Sequence, residues 1–230
     1  MTLISNRDLI LPYFIPYFAY VGIASLFGDR ISIELNYLLR ILIVTPLIVW
    51  AWRWFIPLSL ADRRVMSVMW GIAVGLVGFV LWCLLLAPFI NSLEGDAWSI
   101  KSFLLRLFAA GLLVPVFEEM AIRGYVFRVA LQWDQARKNK SRQPLLTALD
   151  ESSLLDVKSG TWTWPAVLIS SFAFTLGHTS PEWLAAFAYS LLISWLWVKR
   201  GDLLSCIVAH GTTNLVLALF VFSTGQWGFW

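Results

Sequence analysis

Long apolar stretches separated by short polar ones organise the whole chain, and no segment alternates apolar and polar residues as a half-buried strand would. Seven stretches approach the roughly 20 apolar residues that a membrane-crossing helix needs: about 9–27, 35–56, 66–90, 103–133, 164–178, 182–198 and 203–223. The connecting segments are too short for a separate soluble domain. The pattern predicts an all-α fold, a polytopic membrane helix bundle of about seven to eight transmembrane helices, forming a single integral-membrane domain over 1–230. In lipid each such helix must satisfy its own backbone hydrogen bonds. The longest polar interruption, 134–163, holds the solvated basic run QARKNKSRQP and then LLTALDESSLLDV, which predicts a short interfacial helix.

Composition agrees with the pattern. Of 230 residues 59% are hydrophobic and 13% charged, about half the charged share of a soluble domain, and mean hydropathy is +0.74. The first span, preceded by Arg7, reads as an uncleaved helix rather than a signal peptide. Charge adds an orientation. Arg7, Arg53, Arg63, Arg64, the basic residues from Arg137 to Lys158, Lys199 and Arg200 fall on one side of the bundle. Arg30 and Lys101 fall on the other, among Asp29, Glu34, Glu94, Asp96 and Glu182. Arg40 and Arg106 weaken this asymmetry without reversing it. The positive-inside rule then places the N-terminus in the cytoplasm. The net charge of +3 is therefore an expression of topology, and with no long basic patch the chain predicts no nucleic-acid partner.

Smaller features predict packing. Trp50, Trp52, Trp54, Trp162, Trp164, Trp195, Trp197, Trp227 and Trp230 cluster near span ends, as an interfacial aromatic belt would. Gly71 and Gly75 form a small-xxx-small pair suited to close helix packing. Cys83 and Cys206 lie mid-span in different helices and read as packed apolar side chains.

Candidate chemistry sits where polar residues interrupt the apolar runs. The stretch VPVFEEMAIRGYVF, 114–127, holds Glu118, Glu119 and Arg123. Residues four apart share a helix face, so Glu119 is expected to pair with Arg123, leaving Glu118 on another face without a local partner. Pro115 is expected to kink the helix one turn earlier. The chain's two histidines also lie in apolar runs: His178 four residues after Phe174, and His210 four residues before Asn214. An ionisable residue inside a span is a functional candidate by default. A carboxylate, two imidazoles and a carboxamide supply the parts for hydrolysing an amide through activated water, with one set of N–H groups stabilising the oxyanion. No GxSxG is present and neither cysteine neighbours a histidine. Zinc is the disfavoured alternative, since HExxH is absent and its ligands would have to converge from three helices.

The EEMAIR segment with Glu118, Glu119 and Arg123, the FxxxH of Phe174 and His178, and the HxxxN of His210 and Asn214 together resemble the three motifs of the CPBP family. That family comprises CAAX prenyl endoproteases and bacteriocin-processing or self-immunity proteins. The motifs, in order, lie in a core spanning 103–223. The flanking helices and the TGQWGFW tail resemble the bacterial CAAX-protease-related branch that accompanies exosortase systems. The resemblance implies a glutamic-type intramembrane endopeptidase without a metal cofactor. Its catalytic residues would be Glu118 as base, His178 helping to hold water, and His210 with Asn214 as oxyanion hole, supported by Glu119, Arg123 and Phe174. It implies a membrane-anchored peptide or protein substrate and a bacterial inner (cytoplasmic) membrane location in the lipid bilayer. A non-catalytic membrane scaffold or bacteriocin-immunity-type protein of the same family is the alternative. A transporter would call for broken helices in repeated halves, and no such symmetry is visible.

Overall fold

The computed structural model describes residues 4–28, 30–59 and 64–230; Asp29 and Arg63, both part of the charge asymmetry, lie outside the described residues. Among the described residues every regular element is helical. The helices α1 (Ile10–Phe27), α2 (Ile33–Ala51) and α3 (Arg64–Leu86) are followed by one long composite helix, Ile100–Lys138, whose α-helical parts are α4 (Ile100–Phe108), α5 (Val114–Glu119) and α6 (Phe127–Lys138). After it come a short α7 (Pro144–Asp150), then α8 (Trp164–Thr175), α9 (Trp183–Arg200) and α10 (Leu203–Thr224).

Among the described residues five stretches are long and apolar enough to cross a membrane: Arg7–Phe27, Ile33–Trp54, Arg64–Phe89, Ile100–Lys138 and Leu203–Thr224. The expected spans at 164–178 and 182–198 are also helical but weaker in this sense. At about 1.5 Å per residue the 12 residues of α8 reach well short of a hydrocarbon core of about 30 Å. In α9, three tryptophans and the terminal Lys199 and Arg200 lower the hydropathy. The expected interfacial helix is present as α7 and a single turn at Leu154–Asp156. It is tied to the start of the chain by Arg7, whose Nε and Nη2 donate to the Asp150 carboxylate at 2.5 and 2.9 Å.

The bundle is held from inside by small residues and hidden polar groups, while large apolar side chains such as Leu11, Phe18, Val65 and Leu84 face outward, as a lipid solvent requires. Gly71 and Gly75 bring α3 against α10. A Cβ at Gly71 would lie 2.6 Å from that of Val208, and one at Gly75 would lie 2.5 Å from the Ala209 carbonyl oxygen. Thr213 Oγ1 uses the close approach to donate to the Gly75 carbonyl at 2.8 Å. The turn from α9 into α10 depends on Gly201, whose φ of +66° is a left-handed conformation that closes α9. Asp202 then caps α10, its Oδ1 accepting the Ser205 N–H at 2.8 Å.

Trp50, Trp52, Trp162, Trp164 and Trp195 are exposed near helix ends, as an interfacial aromatic belt requires. Trp197 is a correction: it is 1% exposed, in contact with Phe127, and belongs to the core because α9 turns that face toward the composite helix. Trp227 and Trp230 also fold inward, onto Trp98.

The composite helix is not a uniform α-helix. It contains wider π turns at Ala109–Leu113 and Met120–Val126. In the first, the Val114 N–H bonds back five residues to the Ala109 carbonyl. The following residue, Pro115, has no N–H, so the Ala110 carbonyl is left without the donor that would continue this pattern. Asn214 Nδ2 of α10 donates to it at 2.8 Å. Proline, wide turn and asparagine are thus one device, fixing α10 against the composite helix beside Glu118.

Candidate active site

Glu119 and Arg123 pair as their spacing predicts. Arg123 Nη1 lies 3.3 Å from Glu119 Oε1, and both side chains are fully buried. The pair is not isolated. Arg123 Nη2 also donates to the hydroxyl of Ser190 at 2.6 Å and to its carbonyl at 3.0 Å, and the guanidinium lies over the Phe174 ring at 5.2 Å. Glu119 Oε1 meets His210 Nδ1 at 3.0 Å. The carboxylate therefore joins the first and third motifs as well as holding the arginine.

Glu118 makes no such pair with Arg123. Its nearest charged or titratable neighbour by ion-pair distance is His210, with Oε2 3.8 Å from Nε2. His210 is 4% exposed and stands between the two glutamates, Nδ1 toward Glu119 and Nε2 toward Glu118.

His178 is placed differently from its expected position inside a span. Helix α8 ends at Thr175, and the histidine lies three residues beyond it. Its Nδ1 is 3.0 Å from the Phe174 carbonyl, which can only accept, so this nitrogen carries the proton and Nε2 is the free face. The same carbonyl also accepts the Gly177 N–H at 3.1 Å, so the imidazole docks on the helix end at an acceptor the backbone turn already uses. The turn behind it is fixed by a capping box at the start of α9, in which Thr179 N–H donates to Glu182 Oε2 at 2.8 Å, and by the Trp183 indole, which donates to the His178 carbonyl at 3.0 Å. Phe174 packs on both histidine rings, 4.7 Å from His178 and 5.8 Å from His210 between centroids.

All four residues singled out for catalysis line one cavity of about 190 Å3: Glu118, His178, His210 and Asn214. Phe229 and Trp230 of the chain's last segment also line it. Glu118, Phe174 and His178 in addition line a second, apolar cavity of about 290 Å3, walled by Phe14, Tyr17 and Phe18 of α1. The Glu118–His178 edge thus separates a polar chamber from an apolar one. Among the described residues no group of three or more His, Cys, Asp or Glu converges in the manner of a metal site.

Two supporting residues were not visible in the sequence. Ser190 holds Arg123, and Tyr189 packs on His210 at 5.8 Å while its hydroxyl donates to Thr213 at 3.2 Å. A serine and a tyrosine in an apolar helix carry no signal by themselves; their positions arise only when α9 meets the composite helix at Arg123 and α10 at His210.

No curated protein and no solved structure matches this chain. A family model does: that of the type II CAAX prenyl endopeptidase Rce1-like proteins, over residues 100–216, just over half of the chain and including all three motifs. An all-helical bundle with lipid-facing helices and this match together establish that the chain is an integral membrane protein belonging to the Rce1-like family of type II CAAX prenyl endopeptidases.

Proposed function

We propose that the protein is an intramembrane endopeptidase in which Glu118 activates water against a peptide bond of a membrane-associated substrate. The observation that carries this reading is the convergence of Glu118, His178, His210 and Asn214 on one cavity, with a buried ion pair behind them. A water in that cavity donates one hydrogen to Glu118 and the other to the free Nε2 of His178. As its oxygen attacks the carbonyl carbon and the C–O bond forms, Glu118 takes the proton and the carbonyl oxygen becomes an oxyanion; Glu118 then returns the proton to the leaving nitrogen as the carbonyl re-forms and the C–N bond breaks. The developing oxyanion is met by the second N–H of the Asn214 amide, the first being held by Ala110, and by His210.

His210 is held for this by its other nitrogen, Nδ1, which lies 3.0 Å from Glu119 Oε1. Glu119 in this scheme serves both Arg123 and the oxyanion hole. The cycle requires no metal ion, and activity is expected to persist in strong chelators.

The proposed orientation, with the N-terminus in the cytoplasm, rests on the basic residues at one end of the bundle; a bacterial inner membrane is what the resemblance implies. The polar cavity then opens toward the outer side, since Glu182, Phe229 and Trp230 all belong to that end. Cysteines introduced near Lys140 and Lys199 should label from the cytoplasm and one at Glu94 from outside. Labelling of all three from one face would reverse or abolish this orientation.

The decisive experiment is Glu118→Gln. Proteolysis should fall by about 10² to 10⁴, the usual worth of a general base, while the protein folds normally. A folded variant with its full biological effect would instead establish the scaffold or immunity role.

A further inference from the structure

Helix α9 separates two very different polar regions. At its start lies the histidine chamber. At its end the loop after α2, the loop after α7 and the α9–α10 turn enclose a cavity of about 240 Å3, many times the share of about 30 Å3 that one water takes in the liquid. Its lining includes Arg128, Trp197, Arg200 and a single described acid, Asp202.

Arg128 is 6% exposed and has no carboxylate partner among the described residues. Its Nη1 donates to the carbonyls of Leu154 and Val157 at 2.6 and 3.3 Å, and its guanidinium lies over the Trp197 indole at 5.2 Å. The Nε of Arg128, the Nε of Arg200 and the Nε1 of Trp197 are all buried without an acceptor among the described residues. Asp202 does not compensate for this. Its Oδ1 caps α10, its Oδ2 accepts the Ser67 hydroxyl at 2.8 Å, and its closest approach to the Arg200 guanidinium is 3.8 Å.

Two guanidinium groups and three open N–H donors around one cavity, with one acid already engaged, leave positive charge and donor capacity uncompensated. Burying such groups is costly unless a partner arrives. The planar guanidinium fork matches tetrahedral and planar oxyanions, phosphate above all. Leu155, 69% exposed on the lining, offers an apolar surface beside the charged one. We propose that this cavity binds a phosphate-type oxyanion, carried either on the headgroup of an anionic phospholipid or as free phosphate. In the proposed orientation it lies on the cytoplasmic side, where the anionic leaflet attracts basic groups. The inference does not depend on the peptidase reading.

The test uses the purified full chain in neutral detergent, with thermal unfolding followed as phosphatidylglycerol, phosphatidylcholine or inorganic phosphate is titrated in. Saturable stabilisation by phosphatidylglycerol but not by the other two identifies a lipid headgroup site; stabilisation by inorganic phosphate as well identifies a site for the free anion. Arg200→Gln should weaken the effective ligand about tenfold or more, as loss of a charge-assisted hydrogen bond does. Arg128→Lys, which keeps the charge and removes the fork, should weaken it too. The proposal is overturned if neither phosphatidylglycerol nor phosphate shifts the wild-type transition, or if both variants shift as much as the wild type at every ligand concentration.

Discussion

Arg123 and Arg128 lie five residues apart on one helix, both buried, and they are met in opposite ways. Arg123 finds Glu119 at 3.3 Å and Ser190 at 2.6 Å, and Glu119 in turn finds His210. Arg128 finds two backbone carbonyls and an indole face. Around Arg123 charge is balanced by Glu119 within the chain, and the neighbouring carboxylate, Glu118, which the proposed mechanism makes the base, is not drawn into the pair. Around Arg128 the balance is incomplete, and the structure carries a cavity where the missing anion would sit. The same residue type in the same helix thus serves as internal support in one place and as half of a binding site in the other, depending on what the neighbouring helices bring.

The largest effect that would sharpen this contrast is on stability. Arg123→Met leaves Glu119 buried without its guanidinium and should cost about 3–5 kcal/mol. Adding Glu119→Gln should recover much of that loss in denaturant or thermal unfolding. Arg128→Met removes an unpaired cation together with its carbonyl bonds, and the loss should be smaller, about 1–3 kcal/mol. Equal losses for the two methionine variants, or no recovery in the double one, would erase the distinction.

An intermediate effect is expected at Asn214, which on this reading has both a structural and a catalytic N–H. Asn214→Ala should lower turnover by about 10², the cost of an oxyanion donor, with a stability loss of only about 1 kcal/mol from the Ala110 carbonyl. A stability loss with unchanged turnover would leave Asn214 as a helix-packing residue alone.

The smallest effect concerns an exposed pair, the third way this chain meets a charge. Arg7 beside Asp150 holds that carboxyl below its ordinary value, chiefly through their hydrogen bonds. A depressed carboxylate contributes stability above its ordinary titration near pH 4, and the contribution disappears as pH falls through the depressed value. Stability of Arg7→Gln should therefore differ slightly from wild type at neutral pH, converge with it in acid, and differ less in high salt. A gap of constant size across the whole pH range would show that Arg7 acts through packing instead.

Much of the site was legible because it is local. The Glu119–Arg123 pair follows from four-residue spacing on a helix, whereas the Phe174–His178 contact, though expected from the same spacing, is made by the turn that follows α8. The ion pair survives even the π turn at Met120–Val126. What depends on a change of helical register was not legible: apolar periodicity does not reveal a wide turn, so the partnership of Pro115, Ala110 and Asn214 had no signature. His178 read as a span residue because Phe172, Phe174 and Leu176 continue the apolar run, whereas α8 ends at Thr175 and the imidazole docks on its end. Trp197 read as part of the interfacial belt because its position near a span end says nothing of which face it occupies.

The sequence by itself determined the solvent and the class of fold: apolar runs of membrane length force helices, since lipid offers no partner for an open backbone. It also determined which few residues carry charge into that setting, and so which were worth examining. Only the tertiary structure decided how those charges are shared. That His210 stands between Glu118 and Glu119, and that Arg128 and Arg200 face one cavity with too little negative charge, are contacts between residues some 70 to 90 positions apart. Their electrostatic consequence depends on distances of a few ångströms that no local spacing fixes.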